Sequence, residues 1–109
     1  MPPTQSDRRR ERRKLTRTKT TVACRKGHDG LGADLSLRLI DLSDEGARLM
    51  VKEWINPRAD VELSLESVAM NRPLQVAGQV AWCQPIEKGF LIGVKFHERI
   101  DYTDLRHLV

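Results

Sequence analysis

Arg12, Arg13 and Arg17 stand close together near the start of the chain, and the polar segment Asp41-Leu-Ser43-Asp-Glu-Gly46 follows a few tens of residues later. Arginine presents a planar fork of donors that meets phosphate oxygens in pairs, a geometry that the point charge of lysine does not offer. Asp41 can accept hydrogen bonds, Ser43 can donate or accept, and Gly46 permits close backbone approach. A basic segment able to close over an anion and a polar turn able to receive it suit a small phosphate-bearing ligand.

The charge distribution supports that division of labour. Residues 1–26 carry ten Lys or Arg against two Asp or Glu, a balance of +8, whereas residues 27–109 carry nine against thirteen, a balance of −4. The basicity therefore belongs to the leader, and it calls for an anionic partner: a nucleotide, a nucleic acid, membrane headgroups or an acidic protein face. Residues 1–19 contain Pro2, Pro3, a run of charge and one large apolar residue, Leu15, too little to offset the entropy of ordering. We expect a flexible basic arm over 1–19 and a single folded domain over 20–109.

The rest of the chain reads as short strands separated by turn signals. Thr20–Cys24 is β-branched and then apolar, and it precedes the glycine-rich stretch 26–32. Leu35, Leu37 and Leu39 alternate with Ser36 and Arg38, which predicts a half-buried strand with the leucines inward, ending near Asp41. Asp44-Glu-Gly46 reads as a tight turn leading into the strand 47–51, so that the polar segment caps a hairpin and its side chains are accessible. Strands are also predicted over 61–65, 74–82 and 90–96, with Gly78 and Gly93 inside the last two as sites for a bulge or sharp coiling. Six strands of this kind form an all-β, antiparallel barrel or closed sandwich. Asp101 or Thr103 can cap a short C-terminal helix whose apolar stripe is Leu105, Leu108 and Val109.

Several function classes find no support. His28, His97 and His107 are far apart and lack any metal-binding or catalytic context, so no metal site and no enzyme is expected. Cys24 and Cys83 sit in apolar stretches and read as reduced core thiols, which implies a cytoplasmic protein. No apolar run approaches the length of a membrane span, and no apolar segment of the kind found in a secretory leader follows the arginines.

Glu11-Arg12-Arg13-Lys-Leu-Thr-Arg17, followed after a strand by Asp41-x-Ser43-x-x-Gly46, resembles the PilZ domain, a bacterial receptor module for cyclic di-GMP. The likeness joins an RxxxR pattern to a (D/N)xSxxG pattern, with further echoes in Gly46-Ala-Arg-Leu49, Gln79-Val-Ala-Trp82 and Gly93-Val-Lys-Phe96. The same spacing also occurs as Arg8/Arg12 and Arg9/Arg13. Arg13/Arg17 is preferred because Glu-Arg-Arg precedes its spacer and Arg17 lies nearest the first strand.

The resemblance implies a six-stranded PilZ-type barrel whose arm orders over cyclic di-GMP and which signals to a downstream protein partner in motility, surface polysaccharide or biofilm control. It implies ligand contacts from Arg12, Arg13, Arg17, Asp41, Ser43 and Gly46, with the turn meeting a guanine. Arg9, Arg48 and Trp82 are secondary candidates. Arg48 could add a guanidinium to the site or form a surface ion pair with Asp44 or Glu45. Trp82 could stack on a base, worth ~1–3 kcal/mol, or pack in the core. No cofactor beyond the ligand is implied. The alternative is a small β-barrel with a basic tail that grips nucleic acid nonspecifically, disfavoured by the acidic globular part and its few aromatics.

Overall fold

The computed structural model describes residues 14–15, 20–27 and 31–109, the first pair through their backbone alone. The strands are β1 (Lys14–Leu15), β2 (Thr21–Lys26), β3 (Ser36–Leu42), β4 (Gly46–Val51), β5 (Asp60–Glu66), β6 (Leu74–Ile86) and β7 (Gly89–Phe96), followed by the short helix α1 (Tyr102–Leu105). All pairings are antiparallel, in the order β1-β3-β4-β7-β6-β5-β2. Strands β2 to β7 make a nearly closed six-stranded barrel, as expected, and β1 is a two-residue addition to its β3 edge.

Alternation explains the interior. Val61, Leu63 and Leu65 of β5, and Ala47, Leu49 and Val51 of β4, all point inward and are buried. They meet Leu42, Val80, Ile92 and Val94 in one core, where full burial of each larger side chain is worth roughly 1.5–3 kcal/mol. One end of the barrel is plugged by the segment around α1, through Leu105 and Leu108. The Thr20 hydroxyl donates to the Leu108 carbonyl at 3.0 Å and the Ser67 hydroxyl to that of His107 at 2.7 Å, so the plug is tied to two separate strands' ends.

β3 is irregular, and this corrects the simple alternation. The β3–β4 ladder shifts register between Ser36 and Arg38 and again between Leu39 and Asp41. A bulge turns the following residues to the opposite face. Leu39 is buried as expected, but Leu37 stands 47% exposed. After the second shift Leu42 faces the core and Asp41 faces outward beside Arg48.

β3 has two ends with different partners. Near its start the barrel closes on β2: the Leu35 amide donates to the Cys24 carbonyl at 2.7 Å and the Ser36 hydroxyl to the Val22 carbonyl at 2.7 Å. Asp34 clasps this seam, one carboxylate oxygen accepting from the amides of both Cys24 and Ser36 at 2.9 Å. Burial, followed by the charge of Asp34, pushes the Cys24 thiol up to about 12 and keeps it protonated. Near its finish β3 pairs with β1, Lys14 opposite Leu42 and Leu15 opposite Asp41.

Gly78 and Gly93, expected as sites for a bulge or sharp coiling, are structural; the bulge itself lies in β6 between Val80 and Trp82, opposite Gly93 and away from Gly78. A Cβ at Gly78 would stand 2.7 Å from the Lys95 carbonyl oxygen, and one at Gly93 would stand 2.5 Å from the Trp82 indole. Both glycines make room for a neighbour.

Candidate functional site

The β3–β4 corner is held by its own side chains. The Ser43 amide donates to the Gly46 carbonyl at 2.8 Å, and the Ser43 hydroxyl accepts from the Glu45 and Gly46 amides at 3.2 Å. This serine-closed turn makes a fixed backbone shape where the chain reverses. Ser43 and Gly46 are buried, and Asp41 is 4% exposed, so the expectation that these turn side chains lie open is corrected. The exposed part of the corner is Glu45.

Gly46 is demanded by the barrel itself. A Cβ there would lie 2.4 Å from the Val94 carbonyl oxygen, because β7 runs directly against the start of β4. The close approach that a glycine permits is occupied here by backbone.

Asp41 and Arg48 are cross-strand partners, and the Asp41 Oδ2 accepts from Arg48 Nε at 2.8 Å and also from Nη2. This hydrogen bond raises the guanidinium's pKa above its ordinary value, against a smaller opposing effect of burial. Arg48 therefore reaches back to Asp41. The ion pair with Asp44 or Glu45 envisaged for it is made instead by Arg99, from the segment that follows β7. Nothing local marks Arg99 in the sequence, since it lies 54 residues from Glu45.

Register connects the corner to Trp82. Leu15, Asp41, Arg48, Gly93 and Trp82 occupy successive partner positions across β1, β3, β4, β7 and β6. Trp82 lies on the outside of the barrel, seated over Gly93 and 36% exposed. Core packing, one of its two expected roles, is not where it is found. Trp54 meets Phe90 edge to face at 5.9 Å.

Arg9, Arg12, Arg13 and Arg17 lie outside the described residues, as does His28. Their neighbours Lys14 and Leu15 pair with Leu42 and Asp41, so these two residues run alongside the strand that leads into the DxSxxG corner.

A sequence model of the PilZ domain matches residues 7–109. The chain belongs to the PilZ family. Neither a curated protein nor a solved structure matches it. Membership implies a cyclic di-GMP-binding module, in a family of ligand-binding receptors. No helix among the described residues is long and apolar enough to cross a membrane.

Proposed function

We propose that this PilZ domain is a cytoplasmic cyclic di-GMP receptor in which the arm, residues 1–19, closes over ligand seated at the Asp41–Gly46 corner of the barrel, residues 20–109. Arg12, Arg13 and Arg17 grip phosphate oxygens and guanine edges from the arm, with Arg9 adding charge. Asp41 and Ser43 supply polar contacts from the corner. Ligand binding thereby orders the arm and changes the surface offered to a downstream protein in motility, surface polysaccharide or biofilm control.

The pairing of Lys14 and Leu15 with Leu42 and Asp41 is the observation that supports this reading. Consecutive Cα atoms are about 3.8 Å apart, so Arg13 is one such step and Arg17 two from residues already beside the corner. Arginine side chains span that separation easily. Trp82 stands further along the same row with its indole partly exposed, suited to stacking on a base. The Asp41–Arg48 pair has one flexible partner, whose guanidinium can be shared with an incoming phosphate.

Calorimetric titration with cyclic di-GMP, beside the same titration with a single-stranded RNA, tests the proposal. Saturable binding of the dinucleotide, weakening as salt rises and accompanied by slower hydrogen exchange in residues 1–19, is expected. Equal binding of RNA, or no change in the arm, would contradict it.

A further inference from the structure

The corner carries three carboxylates, and a dinucleotide with two phosphates must approach all of them. Asp41 is answered by Arg48. Asp44 and Glu45 are answered by Arg99, whose Nε lies 3.6 Å from Asp44 Oδ2 and whose Nη2 lies 2.5 Å from Glu45 Oε2. The same segment binds the backbone of the turn, the Phe96 amide donating to the Glu45 carbonyl at 2.8 Å and the Ile100 amide to that of Asp44 at 2.9 Å. Ile100 is buried in the core, which anchors the chain on the far side of Arg99.

We propose that Arg99 is a positioning residue for cyclic di-GMP, acting through Asp44 and Glu45 by cancelling negative charge beside the ligand's path. The proposal deepens the receptor reading and rests on it. Arg99 reaches the corner from the chain's C-terminal segment and needs no contact with ligand.

Three features support an electrostatic role over a purely mechanical one. The backbone bonds from Phe96 and Ile100 already hold the turn to this segment without the guanidinium. The Arg99 side chain is 69% exposed, and pairs so exposed hold structure weakly. Glu45 is also exposed, and hydrogen bonding and charge from Arg99 lower its carboxyl from the ordinary value, which favours its charged form. With ligand seated at the corner as proposed above, a carboxylate within a Debye length of its phosphates, about 8–10 Å, repels them unless it is offset.

Two substitutions separate the roles because they move affinity in opposite directions. At roughly 50 mM salt, where screening is weak, Arg99→Ala should weaken cyclic di-GMP binding about tenfold by calorimetry. Glu45→Gln keeps the shape and an acceptor for Arg99 but removes the charge, so it should strengthen binding severalfold, and both effects should shrink at high salt. A mechanical clamp would make Arg99→Ala weaken binding with no salt dependence and Glu45→Gln leave it unchanged or weaker, and that result would overturn the proposal. So would wild-type affinity in both variants. Wild-type chain that binds no cyclic di-GMP would instead overturn the receptor reading beneath it. Should Arg99→Ala lower the melting temperature markedly, the sign of the Glu45→Gln effect still decides.

Discussion

Two carboxylates bracket β3, and they serve in opposite ways. Asp34, at the start, is exposed and spends one oxygen on two backbone amides across the β2–β3 seam. Asp41, near the end, is buried and bonds a long side chain, Arg48, from the neighbouring strand. Backbone donors are fixed by the ladder and cannot be redirected, so Asp34 closes the barrel and does little else. A guanidinium can turn to a new acceptor while its stem stays packed. On the receptor reading proposed above, a carboxylate's partner, more than its burial, is what would separate a structural acid from one open to a ligand.

Four substitutions break or sharpen that contrast. The largest effect is expected from Gly46→Ala, whose Cβ would collide with the Val94 carbonyl oxygen at 2.4 Å. Displacing β7 there should cost about 3 kcal/mol of stability, measured by urea denaturation. An unchanged midpoint would show that the corner is looser than the packing implies. Asp41→Ala should follow, weakening cyclic di-GMP binding by about 2 kcal/mol, roughly 30-fold, as charge-assisted hydrogen bonds are lost. Asp34→Ala should leave affinity unchanged while lowering stability by about 1 kcal/mol. Equal affinity losses from the two alanines would erase the distinction between them.

The smallest effect is one of pH. Burial would raise the pKa of Asp34, but hydrogen bonds from Cys24 and Ser36 outweigh it and hold the carboxyl below its ordinary value. A carboxylate depressed in the folded state stabilises the fold above its unfolded pKa, about 4, and loses that contribution as pH falls through the folded value. The stability gap between wild type and Asp34→Asn should therefore be constant near neutrality and narrow in acid. A gap that widens as pH falls would reverse the assigned sign.

Local pattern carried much of this architecture. The alternations in 47–51 and 61–65 and the apolar stripe of Leu105 and Leu108 were readable because each depends on neighbours in sequence; Gly46 was readable as a turn glycine, but the Val94 carbonyl that demands it was not. The burial of Asp41 was not either, since a bulge near Ile40 that propensity does not announce turns it out of the core and sets it against Arg48, which bonds its carboxylate. Leu37 was assigned inward on a period that the first bulge breaks. Arg48 has carboxylates at 41, 44 and 45 within reach, and only the register of β3 on β4 chooses the first. Arg99 depended on a contact 54 residues distant. The glycines at 78 and 93 were recognised as structural, yet their cause, a neighbour's carbonyl and an indole, required the pairing of β6 with β7. The arginine motif was legible as a motif only, with Lys14 and Leu15 now beside Asp41.

The receptor account rests on arm and corner acting together, and side-by-side calorimetry of wild type and Arg17→Ala with cyclic di-GMP tests this most directly. The account predicts at least a hundredfold loss of affinity, about 2.7 kcal/mol, with an unchanged melting temperature, since the core among the described residues is built by the barrel and its C-terminal segment. Wild-type affinity in Arg17→Ala would contradict it.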